Sequence, residues 1–120
     1  MKIIIEQTGK IPAKKNSMRV YNNRMIKPKS VKEFEERLKM QAIINMNLIG
    51  GLTLEGDIRL TLEVTFGDKR RRDLQNCYGS VCDSLNDICY HDDSQIVELY
   101  GYKRYEKNVW KYKITVEEIK

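Results

Sequence analysis

Residues that usually mark a metal or redox centre are scarce. The 120-residue sequence has one histidine, His91, and three cysteines, Cys77, Cys82 and Cys89. The cysteines are odd in number and lack C-x-x-C spacing, and His91 has no partner at a zinc-type interval. These features speak against a zinc site and lead to the expectation of reduced, mostly buried thiols. Long apolar runs are scarce as well. The N-terminal stretch MKIIIEQTGKIP holds three isoleucines in a row and no small-residue cleavage site. It reads as neither a signal peptide nor a membrane span, so a cytoplasmic protein without a membrane partner is expected. No linker, repeat or low-complexity stretch divides the chain, and a single domain over 1–120 is expected. A domain of this size gains from burying apolar surface against a second copy, which makes a homodimer the expected assembly.

What is plentiful is positive charge. Lys and Arg total 22 against 17 Asp and Glu, a formal net charge of +5. Such an excess favours polyanionic partners through long-range attraction and counterion release. The charge is clustered, with Lys69-Arg70-Arg71-Arg72 unbroken and Lys14-Lys15 close to Arg19, Arg24, Lys27 and Lys29.

Periodicity predicts the elements. The β-branched run in 2–7 reads as a first strand, ended by Thr8-Gly9. Residues 11–29 read as a basic surface loop containing a short hairpin, Val20-Tyr21 and Met25-Ile26 around Asn22-Asn23. Ser30 is positioned to cap a helix over 31–48, with Glu33 completing a capping box and Gly50-Gly51 stopping it. Residues 57–66 alternate strictly and place Ile58, Leu60, Leu62, Val64 and Phe66 on one sheet face. A second helix over 73–85 follows from the stripe Leu74, Tyr78, Val81 and Leu85. Strands over 96–105 and 109–119 close the chain. The expected fold is a small mixed α/β (α+β) domain, β-hairpin-α-β-α-β-β, with a mixed sheet packed by two helices.

Cutting a phosphodiester with a divalent ion requires several converging oxygen ligands. Asp73, at a helix start behind three arginines, and Asp92-Asp93, just before the next strand, are the candidate carboxylates. The helix between them is expected to return the chain so that the two meet. Asp73 has a second reading as a simple helix cap. Adjacent Asp92 and Asp93 repel, and a cation or basic partner would relieve this. Arg70, Arg71 and Arg72 would set phosphate-binding charge beside the acids.

Three spaced motifs, Arg71-Arg72-Asp73-Leu74-Gln75-Asn76, Asp83-Ser84-Leu85-Asn86 and Asp92-Asp93-Ser94-Gln95-Ile96, resemble the signature of the RusA-type Holliday-junction resolvases. That family shows R-R-D-L-D-N, then D-A-L, then D-D-x-Q-[IV]. Pro12-Ala13-Lys14-Lys15-Asn16-Ser17 is similar to the family's P-x-K-K-N-S loop, and the order of elements is similar from end to end. The resemblance implies Asp73 as the first metal-binding aspartate and Asp93, with Asp92 beside it, as the later one. It places Gln75 where the family has a second aspartate, and Gly79 where it has a lysine. It further implies Mg2+ as cofactor, with Mn2+ as a substitute, and DNA contacts from Lys14, Lys15, Asn16, Lys69, Arg70, Arg71, Arg72 and Asn76. The implied partner is branched DNA, a four-way junction.

Gln75 offers a metal a carbonyl oxygen without charge, and Gly79 removes a cation from the region of the scissile phosphate. Two functions follow: a homodimeric Mg2+-dependent endonuclease of recombination and repair, for which the resemblance implies a phage or prophage origin, or a catalytically impaired module that keeps branched-DNA or protein binding. A third, a basic domain contacting RNA or protein through Tyr100, Tyr102, Tyr105 and Trp110, competes with the reading of those aromatics as strand-face packing.

Overall fold

The computed structural model describes residues 1–12 and 29–119, and the main chain of 19–21 and 24–26. The elements run β1 (Lys2–Thr8), β2 (Arg19–Tyr21), β3 (Arg24–Ile26), α1 (Lys29–Leu48), β4 (Ile58–Phe66), α2 (Gln75–Leu85), a 3-10 turn (Asp93–Gln95), β5 (Ile96–Tyr105) and β6 (Lys111–Glu118). The expected mixed α+β fold with two helices and a mixed sheet is present. The hairpin forms as β2 and β3, while Asn22-Asn23 lie outside the described residues.

The main sheet has the order β1-β6-β4-β5. β6 runs antiparallel to both β1 and β4, and β4 runs parallel to β5. The parallel pair needs a crossover, which α2 supplies. Alternation in β4 does what its sequence predicts: Ile58, Leu60, Leu62, Val64 and Phe66 are buried in one cluster with Ile3, Ile5, Ile114 and Val116 of the neighbouring strands. Both helices close over this face. α1 contributes Phe34, Leu38, Ala42 and Met46, and α2 contributes Cys77, Val81 and Leu85.

Two boundaries differ from the sequence reading. α1 begins at Lys29, so Ser30 sits inside the first turn instead of capping it. First-turn N–H groups need no intrahelical partner, so starting earlier costs little. α2 begins at Gln75, with Leu74 at the cap position and no side-chain cap bond. Asp73 is therefore not a side-chain cap. Its main-chain carbonyl accepts from Asn76 N–H at 3.2 Å, leaving the carboxylate outside the helix start.

The two edges of the sheet are treated differently. Beside β1, Asn45 Nδ2 donates to the Ile4 carbonyl at 2.8 Å and Arg37 reaches the Thr8 carbonyl at 3.4 Å, so α1 shields that edge. β5 forms the other edge, and residues 99–108 are all exposed. Tyr100, Tyr102 and Tyr105 remain 45–48% exposed there, so the reading of these rings as packed strand-face residues is not met. An edge strand has a neighbour on one side only, and β propensity carries no information about which strand is at the edge. Trp110, by contrast, is packed against the core. No helix is long and apolar enough to cross a membrane among the described residues.

Candidate active site

The connection from β5 to β6 must pass over the end of β4, which lies between them in the sheet. In passing it bonds to the chain leaving β4, with Glu106 N–H on the Phe66 carbonyl at 3.1 Å and Asn108 N–H on the Gly67 carbonyl at 2.9 Å. This sets the Trp110 ring on Gly67. A Cβ at Gly67 would fall 2.3 Å from Trp110 Nε1, so the contact requires glycine.

Trp110 in turn organises the basic run. The Arg72 guanidinium lies 4.9 Å from the Trp110 ring and 5.4 Å from Phe66. It also forks onto the Asp68 carboxylate through Nη1 and Nη2, the latter at 3.2 Å. Arg70 N–H donates to the same carboxylate at 3.1 Å. The Arg72 side-chain bond, opposed by partial burial, holds the Asp68 carboxyl below the usual carboxylate range. Lys103 Nζ donates to the Arg72 carbonyl at 2.8 Å. The four basic residues are therefore not equivalent. Arg72 is fastened inward, while Lys69, Arg70 and Arg71 are exposed and available to an anion.

Next to this clasp is a cleft of about 430 Å³ whose walls include Lys10, Pro12, Phe66, Arg71, Asp73, Asn76 and Cys77. Asp73, exposed, is the only carboxylate among its lining residues. Lys10 is the member that sequence reasoning missed. Its ammonium sits 4.4 Å from the Trp110 ring, and it is placed by Gly9 N–H bonding the Trp110 carbonyl at 2.7 Å. In the sequence it is a single lysine two residues before Pro12, outside both basic clusters. Lys14, Lys15 and Asn16 lie outside the described residues.

Asp92 and Asp93 do not share this cleft. Because β4 and β5 run parallel, residues that follow β4 and residues that precede β5 lie at opposite ends of the sheet. α2, of 11 residues, spans the interval, roughly 16 Å at the usual helical rise. The expectation that the helix brings Asp73 to Asp92-Asp93 within one chain is therefore overturned. No group of three or more His, Cys, Asp or Glu able to hold a metal exists among the described residues.

At its own end, Asp92 accepts from Ser94 N–H at 3.0 Å, and the Ser94 side chain, followed by that N–H, holds its carboxyl below the usual range. Gln95 Oε1 accepts from the N–H groups of His91 at 2.7 Å and Asp92 at 3.1 Å. Gln95 Nε2 donates to the carbonyls of Leu54 and Gly56 at 3.1 and 3.0 Å. The Asp-Asp-Ser-Gln segment thus folds as a capping box, and Asp92 has a structural role that its spacing to Gln95 signals and that the reading of Asp92-Asp93 as a repelling pair passed over. Asp93 projects near Cys82 and Tyr90, whose ionisation burial chiefly opposes and the Asp93 charge opposes further.

Gln75, Gly79 and Asp83 share the exposed stripe of α2. A Cβ at Gly79 would meet nothing within 4 Å, so close packing does not account for the glycine. Gly79→Ala is expected to stabilise the protein by about 0.5–1 kcal/mol through helix propensity, seen as a rise of a few degrees in Tm. An unchanged or lowered Tm would mean that the turn is held by something other than this open surface. The three thiols are free, and burial pushes Cys77 and Cys82 up to about 11 and Cys89 up to about 12.

The family model for endodeoxyribonuclease RusA matches residues 9–117, nearly the whole chain. The chain belongs to the RusA endodeoxyribonuclease family. The match spans the RusA-type motifs that contain Asp73 and Asp92-Asp93, together with the segment that enters the cleft at Lys10. No protein of the curated set matches it in sequence.

Proposed function

We propose that this chain is a structure-selective endonuclease that resolves four-way DNA junctions in recombination and repair, working as a homodimer with Mg2+, or Mn2+ in its place. The observation that supports it is the cleft at the end of β4, where Asp73 stands among Lys10, Arg71 and Asn76 on a chain of an endodeoxyribonuclease family. Exposed Lys69, Arg70 and Arg71 flank it and suit the phosphates of a duplex arm. Such contacts make binding weaken steeply with salt.

Asp73 alone does not make a magnesium site, since a hard cation calls for several oxygen ligands. Within one subunit the other candidate acids are at the far end of α2, so the residues of one chain do not fit the ion. A second copy is the remaining source of Asp92 and Asp93, which is why this reading requires the dimer. A bound Mg2+ would supply charge neutralisation at the scissile phosphate. Around it, Arg71 and Lys10 would hold the flanking phosphates, and Asn76 would fix the DNA strand by hydrogen bonding.

A second reading, binding without cleavage, is favoured by Gln75 and Gly79, which leave the exposed stripe beside Asp73 without the acid and lysine that the family pattern puts there. One assay separates the two. A synthetic four-way junction is incubated with Mg2+ or Mn2+ and wild type, Asp73→Asn or Gln75→Asp. The nuclease reading expects wild type to nick, Asp73→Asn to bind without nicking, and Gln75→Asp to nick about tenfold faster, since a charged ligand then joins the site. If wild type only binds and Gln75→Asp alone cuts, the natural chain is the binding module.

A further inference from the structure

An exposed β edge is an open template for another strand, and natural sheets either blunt it or pair it. Here β1 is shielded by Asn45 and Arg37 of α1, while β5 presents ten residues with no such cover among the described residues. Val97, Leu99, Tyr100 and Tyr102 on it are 45–55% exposed, with Leu99 on the helical face and the two tyrosines on the open face, so the strand bares apolar side chains on both sides of its free edge. We propose that β5 is the seam on which two copies of this chain join, antiparallel, with Gly101 on the two-fold axis, so that the two four-stranded sheets become one of eight. This rests on the homodimer reading above and says which surface makes it.

The register follows from charge and from the pleat. Directly opposed residues in an antiparallel pair share a sheet face, so odd positions must meet odd and even meet even. With Gly101 opposite itself, Tyr100 meets Tyr102 and Glu98 meets Arg104 of the second copy on the open face, and Leu99 meets Lys103 on the helical face. The open-face row then alternates in sign across the seam. Glu117 and Glu98 already flank Arg59 at 3.1 and 2.9 Å, and Arg104, whose guanidinium also lies 3.2 Å from Glu63 of its own chain, would extend that row beyond Glu98. A slip of two residues sets Glu98 against Tyr102 in one direction and against Glu106 in the other, losing the opposite-charge pair in both. Aromatic and opposite-charge cross-strand pairs each favour the aligned register, and two-fold symmetry repeats every pair. The irregular step between Ile58 and Arg59, where Val97 is the unpaired residue of β5, ends the regular strand just beyond Glu98.

The test uses the whole chain and reads mass and cross-linking. Wild type is expected to sediment as a dimer. Chains bearing Leu99→Cys mixed with chains bearing Lys103→Cys should form a disulfide-linked pair under mild oxidation, while neither alone should, because each cysteine would face a residue other than its own copy. The native thiols, with ionisation pushed up by burial, stay out of the reaction at neutral pH. Leu99→Lys places like charges opposite one another twice per dimer and is expected to weaken dimerisation about tenfold, and Leu99→Lys with Lys103→Leu to restore it. A wild type that is monomeric at every concentration overturns the homodimer reading and the seam together. A dimeric wild type with no cross-link between the two cysteine chains, and no response to Leu99→Lys, overturns the seam alone and moves the interface elsewhere, for instance to exposed Met40, Ile43, Ile44 and Leu48 of α1.

Discussion

Asp73→Asn and Asp93→Asn are each expected to abolish junction cutting as pure proteins, a fall of at least about 100-fold, and an equal mixture of the two chains is expected to recover it in part. The reason is topological. Asp73 follows β4 and Asp93 precedes β5, and the parallel pairing of those strands puts the two acids at opposite ends of one subunit. If the acids of one site come from two chains, a mixed dimer holds one site with both substitutions and one with neither. Random exchange makes about half of the dimers mixed, so about a quarter of the wild-type number of sites should return. The product should be nicked in one strand, since the paired cut needs both sites. Both substituted chains should bind the junction with the wild-type salt dependence, because neither aspartate is among the residues proposed to contact phosphate. Mixing that restores nothing, with subunit exchange shown by a mass-tagged chain, would mean that the two acids do not serve a common site across the dimer.

The sequence was most legible where structure is local. Alternation over 58–66 sufficed for β4 because both its neighbours and the helical layer read the same two-residue period. The stripe Leu74, Tyr78, Val81 and Leu85 placed α2, and the three motifs placed the family. What was not legible depended on partners distant in the chain. A helix between two strands was taken to return Asp92-Asp93 to Asp73, but a crossover joining parallel strands carries the chain back to the starting end of the sheet before the next strand begins. Strand direction is not written in either strand's own pattern. The basic run posed the same problem, since Lys69-Arg70-Arg71-Arg72 is uniform in sequence. What singles out Arg72 is Trp110, brought onto Gly67 by a connection that crosses the sheet. Asp92 looked unsatisfied beside Asp93 because only the repulsion between adjacent acids was weighed, while the Asp92-x-x-Gln95 spacing that marks a capping box, with Ser94 as the donor, was not.

That inequality within the basic run leads to a pair of substitutions with opposite signatures. Arg72→Ala removes a guanidinium stacked on Trp110 and Phe66 and leaves the Asp68 carboxylate with only the Arg70 N–H. Lost stacking and lost packing of the side-chain stem together should lower stability by about 2 kcal/mol, a fall of roughly 5–10 °C in Tm. Because the same clasp sets the course of the chain into Asp73, cutting should fall with it. Arg72→Lys should fail to rescue, since an ammonium cannot fork onto a carboxylate and stack on two rings at once. Arg71→Ala, at an exposed position on the cleft wall, should leave Tm unchanged. Its effect belongs to DNA: affinity should drop for junctions of every sequence, and the slope of log affinity against log salt should fall by about one. Thermal melting and a salt series of binding curves on the two variants check both halves. If Arg72→Ala melts like wild type and shows only the salt effect, Arg72 is a phosphate contact like its neighbours. If Arg71→Ala leaves the salt slope unaltered, the cleft does not face the DNA backbone.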